Sequence, residues 1–478
     1  MDPSITVSKR LLKWGVESRV GISPILVEER TDTQYYKLFF LWFTMNFNIL
    51  SFSAGTLGPV AYGLGIRESC LTILFINMLC CLPPAYLRIN SSTWGPKLGL
   101  RQMVQARFSF GYYGVILPCV LNMINMFGFC ILNAILGGQT LASVADGNLT
   151  WTAGIVIVVV ISLVLSFCGY SILTWYERVA WFPVLVVYLV VLGLGGKNLK
   201  DVPPSAPADA STILTFASTI AGFVITYSPL ASDFTIYFHP SVPSAKIFSY
   251  TYFGLFIPIT SVQCLGAAAA AASAIIPAWA EGYDNSNVGG LLEAMLSPVG
   301  NFGKFLTVLL SLSVAGNIAA TFYSISLNIQ LFIPALIVLP RYVFSIVATA
   351  IVLPVAIVGS HKFYATLENF LGLIGYWCSA FIAIILIEHT VFRKRDLSAY
   401  SPENWNVSKR LPSGMAAIAA GVASFGLVVP CMSQIWFTGP IAEKTGDIGF
   451  EMAFAVTSVL YLPFRALEMR LSKSNIAY

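Results

Sequence analysis

Ser51-Phe52-Ser53-Ala54-Gly55-Thr56, followed by Gly58-Pro59, and Thr219-Ile220-Ala221-Gly222, followed by Thr226-Tyr227-Ser228-Pro229, decide the fold of this 478-residue chain. Each lies in an apolar stretch and interrupts it with small and turn-forming residues. A hydrocarbon core of ~30 Å needs about 20 apolar residues per helix. By that measure spans are expected near 37–64, 68–90, 110–142, 153–173, 177–196, 212–237, 247–276, 303–329, 335–358, 364–389, 413–436 and 447–467, an all-α polytopic membrane protein with twelve transmembrane helices. The interrupted stretches are spans one and six. They stand five spans apart, at matching places in a 1–5 and a 6–10 half. That is the sequence mark of an inverted-repeat transporter whose site lies at the bilayer midplane. Unwound backbone is tolerated there only where it lines a protein cavity. Close helix packing or a kink is the plainer reading of either stretch alone; the pair favours a site.

Composition points the same way. Hydrophobic residues make up 57% and charged residues 10%, with a mean hydropathy of +0.77. An ordinary soluble domain carries roughly 25% charged residues. A soluble enzyme, a disordered chain and a secreted disulfide scaffold are excluded. With a net charge of +5 and no basic domain, nucleic acid is not an expected partner. The nine cysteines contain no C-x-x-C pair and read as small buried hydrophobes. The three histidines have no metal-like spacing, no P-loop occurs, and no nucleophile–base set lies in the spans, so neither a metal site nor an enzyme is expected. The polar first 35 residues have no apolar core of the kind a cleavable signal peptide carries, so none is expected there.

Charge sets the orientation. With the N-terminus inside, 21 of the 27 basic residues fall on the inner side, and only Arg67, Lys197, Lys200, Lys304, Lys362 and Lys444 fall outside. The positive-inside rule therefore places both termini in the cytoplasm. Asn148-Leu149-Thr150, a glycosylation sequon, falls on an outer loop. The expected organisation is a tail over 1–35, a first repeat over 36–200, a second over 201–390, two peripheral helices over 391–467 and a tail over 468–478.

Span three carries Asn122, Asn125, Phe129 and Asn133 at steps of 3, 4 and 4, one polar face of a helix. Span eight carries Ser313, Asn317, Thr321, Ser324 and Asn328 on a second such face. Amides in a membrane need partners, either neighbouring helices or a polar ligand. Interhelical bonds suit Asn122 and Asn328; for mid-helix Asn133 and Asn317 both readings stand. Phe129 and Tyr227, from opposite repeats, can sandwich a flat ring, and an amide can offer its edge one donor and one acceptor. Among acids, Asp233 follows the break of span six, Glu368 opens span ten, and Glu388 sits at the inner interface beside His389 and Arg393. An embedded acid suits proton coupling. For Asp233 an ion pair, with Lys246 or Arg341, or a helix-cap bond is the alternative.

Several stretches resemble the purine-cytosine permease branch of the nucleobase–cation symporter family, in its fungal form. They are Trp14-Gly15-Val16-Glu17-Ser18-Arg19, Gly55 to Pro59, Gly99-Leu100-Arg101-Gln102-Met103 with Arg107, Ala231-Ser232-Asp233-Phe234-Thr235-Ile236-Tyr237, and Asn287-Val288-Gly289-Gly290-Leu291. Span ten adds Glu368-Asn369-Phe370, Gly375-Tyr376-Trp377 and Glu388-His389. The resemblance runs through nearly the whole chain. It implies a LeuT-type fold, two five-helix inverted repeats with helices one and six broken, plus two peripheral helices. It also implies proton-driven uptake of nucleobases such as cytosine, adenine, guanine and hypoxanthine across the plasma membrane. A related branch carries vitamin B6.

Carried over, the family's stacking aromatics fall on Phe129 and Tyr227, where tryptophan is usual. Its span-three amide falls on Asn133 and its span-one serine on Ser51. Its Asn-Asn-x-Pro-Asn pattern falls on Asn317-Ile318-Ala319-Ala320-Thr321, which keeps only the first asparagine. The substrate set is then Ser51, Phe129, Asn133, Tyr227, Asn317 and Thr321, with Asp233, Glu368 and Asn369 in coupling or gating. No cofactor beyond the coupling proton is expected. Departures at Phe129, Ala320 and Thr321 bear on which ring is carried. A vitamin B6 or other heterocyclic-vitamin carrier, and a ligand sensor without net transport, are the alternatives.

Overall fold

The computed structural model describes residues 21–85, 91–167, 175, 176, 178–205, 207–333, 336 and 339–476. The Trp14 to Arg19 motif and the end of span four beyond residue 167 lie outside them. Lipid offers no partner for backbone N–H and C=O groups, so apolar runs of this length close their bonds within helices. In the first half, α1 (Lys37–Asn46) and α2 (Ile49–Tyr62) form span one, bent by 51° between them. There follow α3 (Ile66–Cys80), the short buried α4 (Gln102–Phe110), α5 (Ile116–Ser143), α6 (Trp151–Phe167) and α7 (Trp181–Leu199). In the second half, α8 (Ala210–Ile225) turns at Thr226-Tyr227 into a 3-10 segment, Ser228–Phe234. Then come α9 (Ser244–Ser273), α10 (Pro277–Leu296), the pair α11 (Asn301–Leu312) and α12 (Ala315–Phe332), α13 (Arg341–Gly359) and α14 (Phe363–Ile387). Both halves thus read interrupted span, span, lateral helix, three spans. The last two spans are α15 (Met415–Cys431) and α16 (Gly449–Ile476).

Among the described residues, eight helical stretches are long and apolar enough to cross a membrane, and the bent pair makes a ninth. One of the eight runs 51 residues, from Tyr342 to Phe392. That is about 75 Å of helix at 1.5 Å per residue, more than twice a bilayer core. The 3-10 turn Ser360–Lys362 divides it into α13 and α14. With the shorter apolar helices α6 and α15 the spans number twelve. Residue 335, where span nine is expected to begin, lies outside the described residues; the described helix runs from Arg341 with Pro340 at its N-cap, a place where the missing N–H of proline costs nothing.

The break in span one is not where the small residues lie. Ser51 to Gly58 is helical and buried, and the chain leaves the helix four residues earlier, at Phe47-Asn48. Asn48 is extended and its side chain accepts from the Ser51 N–H, so it starts α2 as an N-cap. The small residues serve packing instead. A Cβ on Gly55 would stand 1.9 Å from the Gln263 carbonyl oxygen of α9, and one on Gly58 2.5 Å from Ser69 Oγ of α3. In span six the α-helix gives way at Thr226-Tyr227, within the expected stretch, to a 3-10 segment with the backbone still right-handed. Gly222 again serves packing, its Cβ position 1.9 Å from the Leu371 carbonyl oxygen. Ten consecutive residues, Phe216 to Ile225, are buried, so span six runs through the centre of the protein.

Candidate functional site

The two breaks meet. A helix that stops inside the protein leaves its last carbonyls and the next helix's first N–H groups without partners. Here side chains supply them. The Met45 carbonyl accepts from Asn48 Nδ2 at 2.7 Å and from Asn317 Nδ2 of α12 at 2.9 Å. The Ile49 N–H donates to Ser313 Oγ at 3.2 Å. Tyr227, at the break of span six, donates its hydroxyl to Asn46 Oδ1 at 2.6 Å. Asn317 Oδ1 accepts from Asn133 Nδ2 of α5 at 3.1 Å. Spans one, three, six and eight are thus joined by one set of buried hydrogen bonds.

Between them is a cavity of about 20 Å³, walled by Phe129, Tyr227, Asn317, Thr321, Leu230 and Phe234 among others. That is room for roughly one water. The Phe129 and Tyr227 rings are 22° from parallel with centroids 6.5 Å apart. A flat ring inserted between two faces needs about 7 Å, twice the van der Waals spacing. The gap is therefore a ring slot nearly closed. Both rings are held from behind by edge-to-face contacts: Phe223 and Phe370 on Phe129, at 5.9 and 5.4 Å, and Trp42 on Tyr227, at 5.4 Å. No charged side chain lines the wall as described.

Residues 24–451 match the family described as permease for cytosine/purines, uracil, thiamine, allantoin. The chain belongs to this permease family. It is a membrane permease rather than an enzyme. It is 35% identical over 471 residues to the purine-cytosine permease fcyB of Emericella nidulans, covering 97% of this chain and 91% of that one. It is 30% identical over 522 residues to the vitamin B6 transporter TPN1 of Saccharomyces cerevisiae, covering 97% and 89%. The structure of Mhp1, a nucleobase-cation-symport-1 family transporter, closed with bromovinylhydantoin bound, superposes with a TM-score of 0.72 at 16% identity. That superposition covers 95% of this chain and 96% of Mhp1, and it establishes the fold, the LeuT-type arrangement of two five-helix halves.

In the permease, Phe129, Tyr227, Asn317 and Thr321 line the cavity together. Asn133 stands one layer out, fully buried, donating to Asn317 and to the Phe129 carbonyl at 2.9 Å. It holds Asn317 rather than forming the wall. Ser51 does not line the cavity either: its Oγ donates to the Asn46 carbonyl at 2.6 Å and supports the break. Thr321 Oγ1 is directed to the Asn317 carbonyl at 2.7 Å.

The acids lie apart from the slot. Asp233 accepts from the Gln102 N–H at 2.9 Å and caps the N-terminus of α4, where the helix dipole favours an anion. Arg101 lines the same cleft. Two stretches of the family resemblance, Gly99 to Arg107 and Ala231 to Tyr237, are therefore one packed unit. Glu368 is half-buried beside the Tyr62 hydroxyl, which bonds Thr219 Oγ1 at 2.8 Å. Asn369 Oδ1 accepts from the Ile435 N–H at 3.1 Å and pins the hairpin of β1 (Ser433–Gln434) and β2 (Phe437–Thr438). Glu388 is buried within the protein at the end of α14. It is 1% exposed and bonded by Arg393 at 3.0 Å, by Arg465 at 2.9 Å and by the Tyr461 hydroxyl at 2.9 Å. Asn46 and Asn48 went unread as functional residues. Their signal is present: an asparagine three residues before Ser51, inside an apolar run, is a helix start.

Proposed function

We propose that this permease is a proton-coupled secondary transporter that takes up a purine or pyrimidine base by alternating access. It would work in the plasma membrane with both termini cytoplasmic. The observation that carries the reading is the near-parallel Phe129–Tyr227 pair, set 6.5 Å apart between buried amides where two helix breaks meet. A flat heterocycle would fit such a slot once the two rings part, and Asn317, bonded to the Met45 carbonyl and by Asn133, keeps one Nδ2 hydrogen and one Oδ1 lone pair for its edge. With no cation on the described wall, a neutral ring suits it better than a phosphorylated one. The name of fcyB supports the substrate class. Glu368, half-buried on α14 outside the slot, is the candidate coupling acid.

The test is uptake of radiolabelled cytosine, adenine, hypoxanthine, uracil, pyridoxine and allantoin by a yeast strain lacking its own carriers. The expected result is saturable accumulation of at least one base, greater at acid external pH and abolished by a protonophore. Accumulation of pyridoxine alone would make the substrate the vitamin, as the likeness to TPN1 allows. Binding without accumulation would make the protein a sensor. Accumulation indifferent to pH and to the protonophore would remove proton coupling and leave the permease.

A further inference from the structure

Spans three and eight face each other across polar rungs. Asn133 bonds Asn317 at 3.1 Å, and Asn122 Nδ2 bonds Asn328 Oδ1 at 3.2 Å. Between these closed rungs stand Asn125 and Ser324, each 1% exposed, each on the cavity wall. Asn125 Nδ2 reaches the Thr226 carbonyl at the break of span six, at 3.5 Å. That carbonyl needs a donor, which fixes the amide nitrogen toward it and leaves Oδ1 over. Asn125 Oδ1 has no partner, and neither has Ser324 Oγ. Hydroxyls inside helices commonly donate to the carbonyl one turn back. Thr321 does so, to Asn317; Ser324 does not. Two buried polar atoms left open on a cavity wall are costly unless a ligand completes them.

We propose that Asn125 and Ser324 form a second polar subsite, which takes the exocyclic amino group of an aminated base. This rests on the nucleobase reading above. Asn125 is one turn from the clamp ring Phe129, and Ser324 one turn from Thr321, so a ring in the slot points one edge at this pair and the opposite edge at Asn317. An amino group brings two N–H donors, one for Asn125 Oδ1 and one for Ser324 Oγ. An oxo group in its place sets lone pairs against Asn125 Oδ1 and can be served by Ser324 alone. A site built to bond a donor rejects the analogue lacking it far better than an apolar wall does.

Competition assays on the full chain in transport-null yeast, with surface delivery checked, read this directly. The wild type should prefer adenine to hypoxanthine and cytosine to uracil by ~10-fold or more. Asn125→Leu and Ser324→Ala should each weaken adenine and cytosine by ~10-fold while changing hypoxanthine and uracil by less than about 3-fold. Ser324→Ala removes a single oxygen and keeps the test open should Asn125→Leu not reach the surface. Equal losses for amino and oxo bases, or an unchanged ratio, would overturn the subsite and leave base transport standing. A wild type that carries no base at all would overturn both.

Discussion

Tyr227 serves the site twice, as one face of the slot and, through its hydroxyl, as the bond between the breaks of spans six and one. Tyr227→Phe separates the two roles. The ring face stays, and Asn46 Oδ1 loses its donor inside the protein, at ~1–3 kcal/mol. The apparent Km should rise by roughly 5- to 150-fold with normal surface delivery, and Tyr227→Ala should be worse. Kinetics unchanged in Tyr227→Phe would show that the bond between the breaks plays no part. At this scale the sequence was readable where spacing decides. Phe129 shares a helix face with Asn133, and Asn317 with Thr321, because steps of three and four do so on any helix. For Ser51 and Asn133 residue type does not say which way a buried polar group turns. Ser51 turns to the Asn46 carbonyl, and Asn133 to Asn317. For Asp233, one of the alternatives has a direct counterpart, the helix-cap bond it accepts from the Gln102 N–H.

Among the elements, span six was legible because Ser228-Pro229 follows the break and proline cannot continue hydrogen bonding to the preceding turn. Span one was not, because an asparagine cap within an apolar run looks the same as an amide bonding a neighbouring helix. Its glycines record something else, the closeness of backbones. Gly55→Val places a Cβ against the Gln263 carbonyl, and Gly222→Val does the same at Leu371, each at 1.9 Å with backbone that cannot swing aside. Both variants should be retained inside the cell or give markedly lower thermal stability in detergent. Gly426→Ala, with nothing within 4 Å of its Cβ position, should behave as wild type. Surface delivery of a fluorescent fusion checks all three. Normal delivery and stability of Gly55→Val would refute the contact between α2 and α9. The asparagine of Asn287-Val288-Gly289-Gly290-Leu291 has a positive φ of 53° at a kink in α10 and donates to Gln139 at 3.1 Å. A short motif there marks a bend tied to span three.

For the whole molecule, the last two spans are less peripheral than their place in the sequence suggests. Arg465 of α16 closes on Glu388 at the end of α14, and Arg393 ties the same carboxylate to the Phe108 carbonyl of α4 at 2.9 Å. Removing one member of a buried charge network typically costs ~3–5 kcal/mol. Glu388→Gln should therefore lower the melting temperature in detergent clearly, while the exposed loop variant Glu403→Gln leaves it in place. Equal melting temperatures would mean that the network is solvated rather than structural. The helical membrane architecture was legible because hydropathy acts residue by residue, whereas this network joins positions 77 residues apart. The nearly closed slot has a thermodynamic consequence of its own. A cavity of about 20 Å³ does not admit a ring, so the proposed binding of a base would require a more open form of the slot. The apparent dissociation constant is the intrinsic one divided by the open fraction. Substitutions far from the ring that ease opening will then tighten apparent affinity without touching the ligand, and rankings of wall variants will be comparable only at matched open fractions.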